Sequence, residues 1–227
     1  MADLTGPAGF DRYKASSYRA YNEKLPERYD TGLIIRLLGV ESMDDFVMDV
    51  LGTDVADLEL LDVGCATGRL LERLAESGAR HLSGTDLAPR ILDTARRKLS
   101  RFQLDVDLRS ADAESRIPWP DDSFDVVTMT GVMHHFVTPG AALAEIGRVL
   151  RPGGMFVLVD PCFFTPVREF FNFCLRFHPH EGDHYFRTAR EMSGLISESG
   201  WRVDRCERIS WWAFGIFAIP DGVAVPH

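Results

Sequence analysis

The sequence predicts an α/β chain: a doubly wound, seven-stranded, mostly parallel sheet whose last strand runs antiparallel. Three observations carry that expectation. Strand and helix patterns alternate from residue 58 onward, and such alternation builds a parallel sheet with helices on both faces. Residues 60–70 read Leu-Leu-Asp-Val-Gly-Cys-Ala-Thr-Gly-Arg-Leu, an apolar strand running into a loop of very small side chains with a helix starting at once. Two final strand patterns, near Val203–Ile209 and Trp212–Ile219, are joined too closely for a crossover helix and so pair as an antiparallel hairpin.

The elements follow in order. The first strand is Leu58–Val63, and the helix after it carries Leu70, Leu71 and Leu74 on one face and stops at Gly78. The second strand is His81–Asp86; its helix starts after Pro89 and presents Ile91, Leu92, Ala95 and Leu99. The third is about Val106–Ala111. The fourth is Phe124–Met129, with a helix presenting Ala142, Leu143, Ile146 and Leu150. Pro152-Gly153-Gly154 reads as a turn into the fifth strand, Met155–Asp160. A helix fills about Pro166–Phe177, and Thr188 with Glu191 makes a capping box for another that ends near Gly200. Residues 55–220 thus hold the sheet, with an insert at about 161–187, and residues 221–227 read as a loose tail. Residues 1–54 lie outside the sheet and carry Tyr13, Tyr18, Tyr21 and Tyr29, then amphipathic stretches near Leu33–Leu38 and Phe46–Leu51. They read as short helices over the mouth of the binding site.

Composition narrows the function. A chain of 227 residues with 45% apolar content fills a full core. A net charge of −9 disfavours a nucleic-acid partner, which calls for a basic face. No apolar run reaches the roughly 18 residues that span a bilayer, and the start, Met-Ala-Asp-Leu-Thr-Gly, is no signal peptide. Cysteines 65, 162, 174 and 206 show no Cys-x-x-Cys spacing and read as reduced, mostly buried residues of a cytoplasmic protein.

The glycine loop is where the chain lets its backbone touch a nucleoside-bearing cofactor. Gly64 and Gly68 have no Cβ to hold a ligand off, Cys65 and Ala66 are small, and Asp62 adds a negative charge at the strand end. The helix opening near Arg69 aims main-chain N–H groups at the ligand. The run lacks the third glycine of a dinucleotide fingerprint and the Lys-Ser/Thr of a phosphate loop, which disfavours a nicotinamide oxidoreductase. Asp86, in Gly84-Thr85-Asp86-Leu87, ends the second strand about 20 residues further on, where a carboxylate accepts ribose hydroxyls.

This series resembles the class I S-adenosylmethionine-dependent methyltransferases over about residues 55–219. Pro118–Asp125 and the run Arg148-Val-Leu-Arg-Pro-Gly-Gly are similar to that family's approaches to its fourth and fifth strands. The resemblance implies S-adenosyl-L-methionine as cofactor, S-adenosyl-L-homocysteine as product, and Asp112, in Ser110-Ala111-Asp112-Ala113, on the adenine amino group. Thr130-Gly-Val-Met-His134-His135-Phe136 then lines the meeting point of cofactor and acceptor, with His134 or His135 as the candidate base.

The acceptor is expected to be a small, partly apolar or aromatic metabolite. Oxygen is the favoured atom, with carbon or nitrogen of a quinone-like, lipid-like or natural-product precursor as the alternative. A non-catalytic cofactor-binding protein is the reading from another class. An aromatic wall for the acceptor is expected from Phe163, Phe164, Phe170, Phe171, Phe173, Phe177, Trp211, Trp212, Phe214 and Phe217, with Arg168 and Arg176 nearby. His178, His180 and His184 sit in a polar turn with Asp183, and no metal is expected there. The chain is expected to act as a monomer or homodimer.

Overall fold

The computed structural model describes residues 11–24, 41–178, 180 and 182–221. Tyr29, the Leu33–Leu38 stretch and residues 222–227 of the expected tail lie outside them. Helix α1 (Arg12–Arg19) is capped by Asp11, whose carboxylate accepts the N–H groups of Tyr13 and Lys14, and runs into a wider turn at Ala20–Lys24. Helix α2 spans Glu41–Leu51. Then come β1 (Glu59–Val63), α3 (Arg69–Glu76), β2 (His81–Asp86), α4 (Pro89–Leu99), β3 (Asp107–Ser110), β4 (Phe124–Thr130) and α5 (Pro139–Val149). The chain continues through β5 (Leu150–Pro161), α6 (Thr165–Leu175), α7 (Ala189–Glu198), β6 (Trp201–Arg208) and β7 (Ala213–Pro220).

The seven strands stand in the order β3-β2-β1-β4-β5-β7-β6, and β7 runs opposite to the other six, pairing antiparallel with both β5 and β6. The two-residue period of a strand sends successive side chains to opposite faces. Leu60, Val126 and Val157 therefore join Leu71, Leu92 and Phe46 in one core, while Leu61, Val127 and Phe156 join Leu143, Ile146 and Met192 in the other. The capping box of α7 is present: Thr188 accepts the Glu191 N–H at 3.1 Å, and Glu191 accepts the Thr188 N–H at 2.7 Å.

Three local expectations change. Pro152-Gly153-Gly154 is not a separate turn; β5 already pairs at Leu150 with Phe124, and the register jumps so that Val126 meets Met155. The extra residues bulge out of the ladder, with Gly153 at φ +89° absorbing the bend. Leu150 accordingly belongs to this strand rather than to the preceding helix. Helix α2 does not cover the mouth of the site: Met43, Phe46 and Val47 are buried in the core under the sheet. A Cβ on Gly215 would come within 2.5 Å of the Phe46 ring, so that glycine is what lets α2 lie on β7. Of the four free cysteines, Cys65 and Cys162 are buried, Cys174 is half-buried and Cys206 is exposed. No helix among the described residues is long and apolar enough to cross a membrane.

Candidate active site

A cavity of about 700 Å³, its open mouth included, lies at the carboxyl ends of β1, β2 and β4, with α1 and Tyr21 on the far side. Open α/β sheets place ligands at such a position. Gly64, Ala66, Asp86, Leu87, Asp112, Ala113 and Thr130 line it, as the sequence anticipated. Gly64 takes φ +74°, and a Cβ there would fall 2.3 Å from Val132. Position 64 is thus closed to any side chain and leaves main chain at the cavity wall.

Asp86 is tied by both oxygens: Oδ2 accepts the Ala66 N–H and Oδ1 the Ala88 N–H, each at 3.0 Å. Each oxygen keeps acceptor capacity for a ligand hydroxyl. Burial pushes its pKa up to about 6, against the pull of those N–H bonds. Asp112 accepts the Glu114 N–H at 3.0 Å, the Ser115 hydroxyl at 2.9 Å and the Lys14 ammonium at 2.7 Å. Lys14 also reaches buried Glu114 at 3.1 Å. A lysine from α1 therefore straps the carboxylate expected to meet adenine. Lys14, Ser17 and Glu114 escaped the sequence reading, because a helix more than ninety residues away in the chain brings the first two in.

Three anticipated residues sit behind the wall rather than on it. Asp62 is 2% exposed, accepts the Thr128 hydroxyl at 2.8 Å, and has its pKa pushed by burial up to about 7, so its charge is not fixed. Cys65 turns its sulfur into the core, where a Cβ on Gly84 would approach it to 2.8 Å. Gly68 takes φ +74° at the start of α3, and a Cβ there would crowd Ala95 and Leu99 at 3.2 Å; its role is to seat α4.

At the other end of the cavity the two histidines part company. His135 lines it, with the Tyr21 hydroxyl 3.5 Å from Nε2. His134 is 7% exposed and does not line it; its Nδ1 meets Asp160 Oδ1 at 3.0 Å. Asp183 lies between the rings, its Oδ1 3.4 Å from His134 Nε2 and 3.3 Å from His135 Nδ1. Burial opposes a charge on His134, yet Asp160 and Asp183 outweigh it and push the pKa up to about 10. Burial and the neighbouring His134 push His135 down to about 4. Neither ring has the near-neutral pKa at which a general base works best.

The aromatic wall is not where the sequence put it. None of the ten expected aromatics lines this cavity; Tyr21, His135 and Phe136 do. Phe164, Phe170, Phe171, Phe173, Phe177 and Trp211 are exposed, whereas Trp212 and Phe214 are core. Arg168 is buried against Glu169 at 2.6 Å, and the Arg176 carbonyl accepts from Arg12 at 2.8 Å, so neither arginine faces the cavity. His178, His180 and His184 do not converge. His184 Nδ1 instead meets the Phe136 carbonyl at 3.0 Å, and Asp183 is the member of that turn that joins His134 and His135.

A family profile described as the methyltransferase domain matches residues 61–158. The chain is 31% identical over 178 residues to a demethylmenaquinone methyltransferase of Deinococcus radiodurans, covering 78% of this chain and 73% of that protein. It is also 31% identical over 160 residues to the demethylmenaquinone methyltransferase of Tropheryma whipplei strain Twist, covering 70% of this chain; the chain spans 63% of that relative's length. Among solved structures, magnesium protoporphyrin IX methyltransferase from Synechocystis with bound S-adenosylhomocysteine superposes with a TM-score of 0.72 at 15% identity. That match covers 92% of this chain and all of the other, and shows the fold.

Proposed function

The chain belongs to the class I S-adenosylmethionine-dependent methyltransferases, and on that premise we propose that it transfers a methyl group to a small, partly apolar metabolite carrying a ring and a hydroxyl, with oxygen the favoured acceptor. The single observation that supports this most is Asp86. It stands at the cavity on the end of β2, oriented by two main-chain N–H groups, with acceptor capacity left on both oxygens. That suits the neighbouring hydroxyls of a ribose. Asp112 accepts and does not donate, which suits an exocyclic amino group. Gly64 and Ala66 offer main chain to the rest of the cofactor, and Leu87, Ala113 and Thr130 form walls.

When bound, S-adenosylmethionine supplies a methyl group already activated on a sulfonium. The protein's share is alignment, which is worth up to about 7–11 kcal/mol. Val132, His135, Phe136 and Tyr21 border the remaining space and are the residues that would hold the acceptor there. His135 orients an acceptor oxygen rather than acting as a strong base. Carbon transfer to a quinone-like ring is the second reading; the names of the relatives above support a quinone-like acceptor and leave the atom open. The free cysteines fit a cytoplasmic setting.

The test is a panel of hydroxylated quinones and phenols incubated with the chain and S-adenosylmethionine, read by mass spectrometry for the gain of one methylene unit. An O-methyl product is expected, and His135→Ala should lower its rate of formation more than it weakens cofactor binding. A ring-carbon product would replace the oxygen reading by the carbon one. Cofactor binding with no product from any member would favour the non-catalytic reading.

A further inference from the structure

We propose that His134, His135 and Asp183 bind a divalent transition-metal ion of the zinc class beside the acceptor end of the cavity. The inference rests on the methyltransferase reading only for what the ion would do there. Among the described residues this is the group whose ligand atoms gather closely enough, all within 4.8 Å of one another. His134 Nε2 and His135 Nδ1 lie 3.4 and 3.3 Å from one Asp183 oxygen. Ligands on a tetrahedral zinc with bonds of about 2.0–2.1 Å sit roughly 3.3–3.4 Å apart. Asp183 already serves His134 as a hydrogen-bond partner, whereas His135 Nδ1 is buried without a hydrogen-bonding side-chain partner among the described residues, the Gly182 main chain lying close to the ring.

The outer contacts point the same way. A metal-bound imidazole is normally held through its other nitrogen by a carboxylate or a similar partner. His134 Nδ1 is held by Asp160 at 3.0 Å, which leaves Nε2 facing Asp183. His135 Nε2 is approached by the Tyr21 hydroxyl at 3.5 Å, which leaves Nδ1 facing the same carboxylate. Two histidines and one carboxylate leave coordination positions open, as catalytic metal sites do. His135 is the member of the set that borders the cavity. A cation there would take a hydroxyl oxygen of the acceptor and lower its pKa, the proton passing to solvent. That supplies the activation that neither histidine provides alone, and it narrows the acceptor to compounds with a metal-binding oxygen. It departs from the sequence expectation of no metal, which looked at His178, His180 and His184.

The experiment is titration of the purified full chain with Co²⁺, followed by visible absorption, with elemental analysis after loading with Zn²⁺ and gel filtration. One metal per chain is expected. Asp160→Asn should weaken binding about 10–100-fold. His135→Ala and Asp183→Ala should abolish it, and His178→Ala, in the neighbouring loop, should keep it. A flat cobalt titration of the unmodified chain would overturn the proposal, as would binding that survives both His135→Ala and Asp183→Ala or that is lost in His178→Ala. Calorimetry with S-adenosylmethionine on the metal-free chain separates this from the reading above. Cofactor binding without metal binding sinks only the metal site; metal binding without cofactor binding sinks only the methyltransferase reading.

Discussion

The two ends of the cavity handle negative charge in opposite ways. At the glycine-loop end, Asp62 and Asp86 are pushed up to about 7 and about 6 by burial. Their partners there are a hydroxyl and main-chain N–H groups. At the histidine end, burial works against Asp183 too, but His134 holds it below the usual carboxylate range. Asp62 and Asp86 have no cationic hydrogen-bond partner among the described residues, unlike Asp112, which Lys14 holds; the histidine end is already balanced by its own side chains. The lesson is that the first end suits a ligand that brings hydroxyls and a cation, while the second is a self-contained cluster that a metal ion or an acceptor oxygen enters by displacing internal contacts.

The largest effect should come from filling the glycine loop. Gly64→Val forces a branched side chain into φ +74° and onto Val132. Strain and overpacking together should cost about 2–5 kcal/mol of stability. Thermal or denaturant unfolding checks this, and a loss below about 1 kcal/mol would mean that the loop yields.

Next comes the pH dependence of the uncompensated end. Asp62 has a folded pKa near 7, above its unfolded value. A carboxyl raised in this way favours the folded state fully below about pH 4, and that contribution is lost as pH rises through 7. Relative to the chain as it stands, Asp62→Asn should therefore gain stability on the order of 2–4 kcal/mol between pH 4 and 8. Parallel stability profiles for the two proteins would show that Asp62 is not the stored cost.

The smallest effect is expected away from both ends. Phe170 is 65% exposed on α6 and does not line the cavity. Phe170→Ser should change stability by no more than about 0.5 kcal/mol and leave cofactor affinity unaltered. A clear loss of cofactor affinity would return α6 to the site and redraw the boundary between the two regions.

Most of the sheet and the glycine-loop end were legible in the sequence, because both depend on short stretches. Strand and helix periods show within ten residues, and Gly64, Ala66, Asp86 and Asp112 each follow directly from the end of a predicted strand. At the histidine end the sequence placed His134 and His135 near the cavity but not the carboxylates that join them. Asp160 is the penultimate residue of β5, and Asp183 sits in a turn some fifty residues beyond His134 and His135. Nothing local marks their convergence. Exposed and buried phenylalanines look alike in a sequence, so α6 and the residues just after it read as a pocket wall although Phe170, Phe173 and Phe177 are exposed. Lys14 gave no signal at all, since one lysine on a polar helix carries no hint of its partner in the next hundred residues.

The most direct measurement is isothermal calorimetry of S-adenosylmethionine with the full chain and with Asp86→Ala. A single site is expected, its affinity falling by about 1.5–3 kcal/mol in the variant, the worth of charge-assisted hydrogen bonds. No heat of binding, or the same affinity in both proteins, would contradict it.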